Sequence, residues 1–414
     1  MAKLGGKVKE GIIIFQLFFD LPPCNIEHDM KKAIIVLPTY NERVGVEELI
    51  PQIFDVVKPI KDWTVDILVA DDSSPDGTAD VVRTLQKKYP HNLHLQVNTK
   101  KVGLGQAYLN AFSYAIKTYK PDVIFEMDAD GQHPADILPQ FLAKIDDGAD
   151  FVIGSRYIPG GSIPNHWSLW RKFTSVVGNI VAQLLFMNFK IRDWTSGYRC
   201  IRASYLSSIV SEMEGHTGYV FQIALLDNAF KRKLLITETP LNFTDRLNGE
   251  SKMQSFTFMF DTLWYIFSHS SFVKFVITGL VGAVVDFGSA FILIALMIFS
   301  KPTANAVSAE IAIISNFLIN NFWSFKHKKI QSSLGKAFLT FNLVSSGAIF
   351  MQWYGMKLML STFGDTTLRF MFASIPSWII YKVIIIAFFV IPYSYIMYNK
   401  IVWKETSSPI ATTS

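Results

Sequence analysis

Apolar residues fall into two regimes that meet near residue 255. In the first, short unbroken apolar runs alternate with mixed segments. Ala33-Ile34-Ile35-Val36-Leu37, residues 65–70, residues 93–97 and Val123-Ile124-Phe125 are each short enough for a buried strand. Residues 47–57, 79–88 and 103–118 between them read as helices. Strands alternating with helices predict an α/β domain whose sheet is mostly parallel. Ligands in such sheets bind beyond the carboxyl ends of the strands.

The second regime begins at Phe272, where charges thin out. A bilayer span needs about 20 apolar residues. Residues 272–299, 304–325, 337–360 and 370–398 meet that requirement, so four spans are predicted within 272–400, followed by a tail at 401–414. Residues 255–268 are aromatic-rich and amphipathic and predict a helix lying in the membrane interface. Asp286 and Glu310 are costly in lipid. They mark either a polar cavity or a buried cluster with neighbouring Ser and Asn side chains. Lys357 and Lys382 lie where long side chains can snorkel.

Charge sets the orientation. Lys326, Lys328, Lys329 and Lys336 separate the second and third spans, and Lys400 and Lys404 follow the fourth. The other two loops hold only Lys301 and Arg369. The positive-inside rule therefore places the soluble domain, the 326–336 loop and the C-terminus in the cytoplasm, at a prokaryotic plasma membrane or the endoplasmic reticulum. A net charge of +5 is too mild to indicate nucleic acid. Cys24 and Cys200 form neither a disulfide framework nor a zinc site. Residues 1–29 lie outside the regular pattern and read as an extension added to the folded chain, with a peripheral membrane contact as the alternative.

The candidate chemistry gathers at strand ends. Asp128 and Asp130 follow Val123-Ile124-Phe125, and Gly131 and Pro134 then turn the chain toward a helix. Residues i and i+2 of extended chain face one way. Two carboxylates so placed suit a magnesium or manganese ion held jointly with substrate phosphates, with Gln132 as a possible third oxygen. Pro38-Thr39-Tyr40-Asn41-Glu42 and Asp71-Asp72 fall at two other strand ends, so three polar motifs converge on one edge. No Walker or dinucleotide-binding glycine pattern is present.

Leu37-Pro38-Thr39-Tyr40-Asn41-Glu42, the stretch from Ala70 to Thr78 ending Ser74-Pro75-Asp76-Gly77-Thr78, Gly103-Leu104-Gly105-Gln106-Ala107-Tyr108 and Asp128-Ala129-Asp130 resemble family 2 glycosyltransferases of the GT-A fold. Within that family, Asp130-Gly131-Gln132-His133-Pro134 resembles dolichol phosphate mannose synthases. The resemblance covers roughly residues 31–250 and implies a Rossmann-like α/β GT-A catalytic domain at 30–254. It implies a nucleotide pocket at Pro38, Tyr40, Glu42 and Asp72, to which we add Asp71, Lys101 and Asp128, and a metal site at Asp128, Asp130 and Gln132. It also implies a GDP-mannose donor, a dolichyl or other polyprenyl phosphate acceptor, and inverting, metal-dependent transfer in which Asp130 and Arg156 act. Asn316 to Phe325 and the topology resemble the GtrA-like four-helix membrane domain.

The acceptor side follows from charge. A lipid monophosphate is repelled by the donor diphosphate, and Arg pairs well with phosphate. Arg156, Arg171, Arg199, Arg246 and Lys252 are the basic candidates, with Ser175 beside them. Trp167, Trp170, Arg171 and Lys172 lead into an apolar segment, which predicts an interface helix near 167–187. The rival enzyme reading is a UDP-sugar donor such as UDP-glucose. A rival of another class is a lipid flippase or channel with a regulatory soluble domain. Glycoside hydrolysis needs its two carboxylates on opposite sides of the bond, at least about 5 Å apart, which one tight turn does not suit.

Overall fold

The computed structural model describes residues 30–216, 218, 220–244 and 255–403, apart from 298, 300, 327, 329, 331, 371 and 372. The chain forms two compact units. One holds the residues up to Trp167 together with Thr195–Lys252, and the other holds Ser168–Trp194 and the residues from Met253 onward.

The first unit is built on a seven-stranded sheet. Its strands are β1 (Lys31–Thr39), β2 (Trp63–Asp71), β3 (Leu93–Val97), β4 (Val123–Glu126), β5 (Phe151–Ser155), β6 (Arg199–Arg202) and β7 (Ile236–Pro240). They lie in the order β3-β2-β1-β4-β6-β5-β7, and β6 runs antiparallel to both its neighbours while the other pairings are parallel. Ala33 through Leu37 are wholly buried, as expected of a central strand covered on both faces. The helices α1 (Arg43–Val57), α2 (Thr78–Gln86), α3 (Leu104–Tyr119) and α4 (Leu138–Asp146) connect the strands. Their apolar stripes (Val46, Leu49, Ile50 and Ile53 on α1) pack into the core shared with Ile35, Ile67 and Phe125.

The register puts Thr39 beside Asp71 and Val36 beside Glu126. Strand order reverses at β1, which has β2 on one side and β4 on the other. A crevice forms where connections leave in opposite directions from adjacent strands, so the carboxyl ends of β1 and β4 are the place for a ligand.

The second unit is helical. α5 (Leu169–Phe186) belongs to it, together with α8 (Ser255–His269), α9 (Ser271–Ala295), α10 (Lys301–Ile319), α11 (Leu334–Phe363) and α12 (Ser377–Ile385); α6 (Ala203–Ile209) and α7 (Val220–Lys231) belong to the first unit. Among the described residues, three helices are long and apolar enough to cross a membrane: Ser271–Ala295, Leu334–Phe363 and Ile380–Val402. Three of the four expected spans meet that criterion among the described residues. α10 continues through a π-turn at Asn320–Ser324 and carries the polar residues Ser308, Glu310, Ser315, Asn316, Asn320 and Asn321. The last span also starts later than expected. Thr367–Phe370 and Ala373–Pro376 form an antiparallel hairpin, and the helix begins at Ser377.

Only 17%, 22% and 22% of an 18-residue apolar stretch in each of the three is buried, and Val284, Phe287, Leu343 and Phe388 point outward. Helices that expose their large apolar residues belong in lipid. The inside is held by aromatic packing, with Phe325 stacked on Trp403 at 4.7 Å and Phe341 on Tyr398 at 4.4 Å. Polar groups join α9 to the segment after it. Asp286 accepts a hydrogen bond from Ser308 at 2.6 Å, Thr278 meets Ser324 at 3.0 Å, and Gly282 leaves room for the Asn316 amide. Glu310 is exposed.

α5 is amphipathic, as its sequence predicts. The Ser168 hydroxyl caps it by accepting from the Arg171 N–H. Leu169, Trp170, Phe173, Ile180 and Leu184 lie on its open face. Asn179 on the other face accepts from Trp194 N–H at 2.7 Å, and Trp194 stacks on Phe186 at 4.7 Å. α8 likewise exposes Phe260, Trp264 and Phe267.

Candidate active site

A cleft of about 260 Å³ opens at the carboxyl ends of β1, β2 and β4. Of the residues that the sequence assigns to a nucleotide or metal, Pro38, Tyr40, Glu42, Asp72, Lys101, Asp128 and Asp130 all line it. They come from three strand ends and the loop before α3.

The rim is pre-set by hydrogen bonds. Asp71 is buried, and its carboxylate accepts from the Thr39 hydroxyl at 3.0 Å and from Ser74 N–H and hydroxyl at 3.0 and 2.6 Å. It ties β1 to β2 and does not line the cleft. Its neighbour Asp72 does line it. Asp72 also gathers the loop ahead of α3, accepting from Val102 N–H at 2.8 and 2.9 Å, Gly103 N–H at 3.0 Å and Asn98 Nδ2 at 3.1 Å. That loop carries Lys101, whose Nζ stands 3.6 Å over the Tyr40 ring.

The Ser74-Pro75-Asp76-Gly77-Thr78 stretch supports this rim. Asp76 accepts from Thr78 N–H, the Thr78 hydroxyl and Arg43 N–H, while the Thr78 hydroxyl accepts from Glu42 N–H at 3.2 Å. Partial burial pushes the Asp76 carboxyl up, but the bonds from Thr78 and Arg43 outweigh it and hold the pKa below the usual carboxylate value.

The acidic turn is the floor. β4 ends at Glu126, so Asp128 and Asp130 lie past the strand, in a turn closed by Gly131 at φ 83°. Left-handed backbone favours glycine there. Asp130 is 5% exposed and accepts from Gln132 N–H at 3.0 Å. Gln132 itself is buried. Its amide nitrogen lies 3.5 Å from the Thr244 carbonyl, and it is not among the cleft-lining residues. α1 approaches this turn so closely that a Cβ on Gly45 would lie 2.1 Å from the Ala129 carbonyl oxygen.

Beneath the turn lies a buried layer assembled from distant parts of the chain. Tyr108 is wholly buried with its hydroxyl 3.4 Å from Asp128. Burial, then the charges of Asp128 and Glu126, push its phenol well above its ordinary pKa. Burial raises Glu126 to about 7, against the pull of Arg199 with Nε 3.9 Å away. A helical-period reading of 104–119 does place Tyr108 on the buried stripe. Nothing local in the sequence pairs Glu126 with a residue 73 positions later.

The described acceptor candidates are divided between the two units. Arg156 follows β5 directly and is half-buried, with Nη2 donating to the Thr195 hydroxyl at 2.7 Å. Arg199 is wholly buried, and it donates from Nε to the Ser196 carbonyl at 2.8 Å and from Nη1 to the Gln222 carbonyl at 2.7 Å. The fold withdraws it from any phosphate in solvent. Arg171 and Ser175 stand one turn apart on α5, in the helical unit. Arg246 and Lys252 lie outside the described residues.

Residues 34–210 match the description "Glycosyl transferase family 2", and residues 274–403 match the GtrA/DPMS transmembrane domain. A polyprenol monophosphomannose synthase of Mycolicibacterium smegmatis is 37% identical over 54% of this chain and 81% of its own length. A dolichol-phosphate mannosyltransferase of Pyrococcus furiosus is 32% identical over 77% of this chain and 88% of its own. The chain belongs to the polyprenyl-phosphate mannosyltransferase family. It is a family 2 glycosyltransferase carrying a GtrA-type membrane domain. A solved mannosyltransferase of Pyrobaculum calidifontis, in complex with GDP-Man and Mn2+, is 14% identical to it, covering 90% of this chain and 88% of that one at a TM-score of 0.39.

Proposed function

We propose that the transferase moves mannose from GDP-mannose to dolichyl or another polyprenyl phosphate, with inversion, using Mg2+ or Mn2+. The observation that carries this is the meeting of Asp128 and Asp130 with Tyr40, Glu42 and Asp72 in one cleft at the sheet's switch point. Two hard carboxylate donors in one turn fit a divalent cation that completes its shell with a diphosphate. Asp128 and Asp130 are the groups that would hold it, with Gln132 adjoining. Once bound, the cation neutralises the diphosphate as it leaves.

The acceptor phosphate is largely ionised near neutral pH, its second pKa being about 6, so its oxygen needs no strong base to attack. That oxygen bonds to the anomeric carbon while the bond from that carbon to the diphosphate breaks. Tyr40, Glu42 and Asp72 orient the nucleoside, and Lys101 faces the diphosphate charge. Arg156, steadied by Thr195, takes the acceptor phosphate through paired hydrogen bonds. Arg171 and Ser175 remain acceptor candidates, as do Arg246 and Lys252. In this reading residues 30–254 form the catalytic domain and 255–268 a link along the interface. Residues 272–400 then anchor the transferase where lipid phosphates are found. The lysine bias around 326–336 and Lys400 favours a cytoplasmic catalytic domain.

The test uses the purified full chain in detergent with dolichyl phosphate and either GDP-mannose or UDP-glucose. Mannosyl lipid formed only with added cation, and abolished by Asp130→Ala, is the expected result. Glucosyl lipid would keep the mechanism and replace the sugar. Transfer that survives Asp130→Ala would refute the assigned site.

A further inference from the structure

One imidazole is held against the Asp128 main chain. His133 follows five residues later, and its Nδ1 accepts the Asp128 backbone N–H at 2.9 Å. The neutral ring therefore carries its proton on Nε2. Nε2 lies 3.9 Å from Oδ2 of the same aspartate. The ring is 2% exposed and cannot turn freely. It stacks on Tyr198 with centroids 4.7 Å apart and an interplanar angle of 13°, and it meets Phe243 edge-on at 5.9 Å. Tyr198 is itself fixed, donating from its hydroxyl to the Pro134 carbonyl at 3.0 Å and packing on Phe141 at 4.8 Å.

We infer that His133 is a positioning residue for the transfer reaction: Nδ1 fixes the Asp128 main chain and, through it, the direction its carboxylate takes toward a divalent cation. This rests on the cation reading proposed above. A supporting group that orients a metal-binding carboxylate holds it within about 0.5 Å of its working geometry. A histidine that only filled space would be replaceable by any ring of its size.

Two substitutions separate these possibilities. His133→Phe keeps the ring and its stack on Tyr198 but leaves the Asp128 N–H without its acceptor. His133→Asn keeps an acceptor oxygen near the Nδ1 position. The measurement is Mn2+ affinity of the full chain in the presence of GDP, from the electron paramagnetic resonance signal of free Mn2+, with thermal unfolding of each variant alongside. His133→Phe is expected to weaken Mn2+ binding about 10- to 100-fold with little change in unfolding temperature, and His133→Asn to stay within about threefold of wild type. Wild-type affinity in His133→Phe overturns the inference, and so does an equal loss in both variants. If His133→Phe does not fold, His133→Asn decides alone: retained affinity supports the Nδ1 contact, and lost affinity overturns it. A wild-type chain that binds no Mn2+ with GDP overturns the cation reading and this inference together, whereas normal wild-type binding with unaffected variants overturns this inference alone.

Discussion

Gly45→Ala tests whether the acidic turn sits where the structure puts it. The added Cβ would lie 2.1 Å from the Ala129 carbonyl oxygen and 3.2 Å from its carbon, where real Cβ contacts stay above 3.0 Å. Either α1 or the turn must therefore withdraw by roughly 1 Å, and overpacking of this kind costs about 1–3 kcal/mol. Replacing a helical glycine by alanine returns about 1 kcal/mol of helix propensity. The net loss is then about 0–2 kcal/mol, which for a domain of some 200 residues lowers the unfolding temperature by no more than about 8 °C. Activity is more exposed. Ala129 lies between Asp128 and Asp130, and a shift of about 1 Å at reacting groups costs about 100-fold in rate. The expected result is a folded protein that transfers sugar about 100-fold more slowly. Gly288→Ala, whose Cβ would meet nothing within 4 Å, is the control and should change neither quantity. Wild-type transfer and an unchanged unfolding temperature in Gly45→Ala would refute the placement of the turn.

Arg199→Met should destabilise the transferase by about 3–5 kcal/mol, because it strands the Glu126 carboxylate in the core. Among molecules that remain folded, KM for the lipid acceptor should be unchanged; a raised KM at an unaltered unfolding temperature would return Arg199 to the acceptor site. Glu126 predicts a pH dependence. Its pKa is raised from 4.5 to about 7 in the folded protein, so the folded state binds more protons than the unfolded state across that window. Stability should fall as pH rises from about 4.5 to 7 and then level, by up to about 3 kcal/mol. Unfolding temperatures of Glu126→Gln should lack that slope between pH 5 and 8, and parallel curves for variant and wild type would refute the assignment.

The local elements were legible in the order of residues alone. Continuous apolar runs marked β1 to β4, because parallel strands are buried on both faces. Helical spacing marked the segments between them, and long uncharged stretches marked the membrane part. Residue order also set the chemical type of the site, since Asp128 and Asp130 are close along the chain whatever the fold does. Span ends were less legible. Span length can be read from a stretch of apolar residues, but the pairing of Thr367–Phe370 with Ala373–Pro376, which delays the last helix to Ser377, shows only in the structure.

Which charges meet depends on the packing of the folded chain. Asp71 and Asp72 are neighbours, yet one is enclosed by Thr39 and Ser74 while the other reaches the cleft and holds Val102 and Gly103. Arg199 reads as an acceptor-phosphate ligand, but the antiparallel insertion of β6 beside β4 pairs it with Glu126 and buries it. The strand order, the reversal at β1, the clearance at Gly45 and the grouping of α5 with the helical unit are of the same kind. Periodicity records which face of an element is buried. It carries no information about what lies against that face, because the partner comes from a distant part of the chain and is selected by packing of the whole.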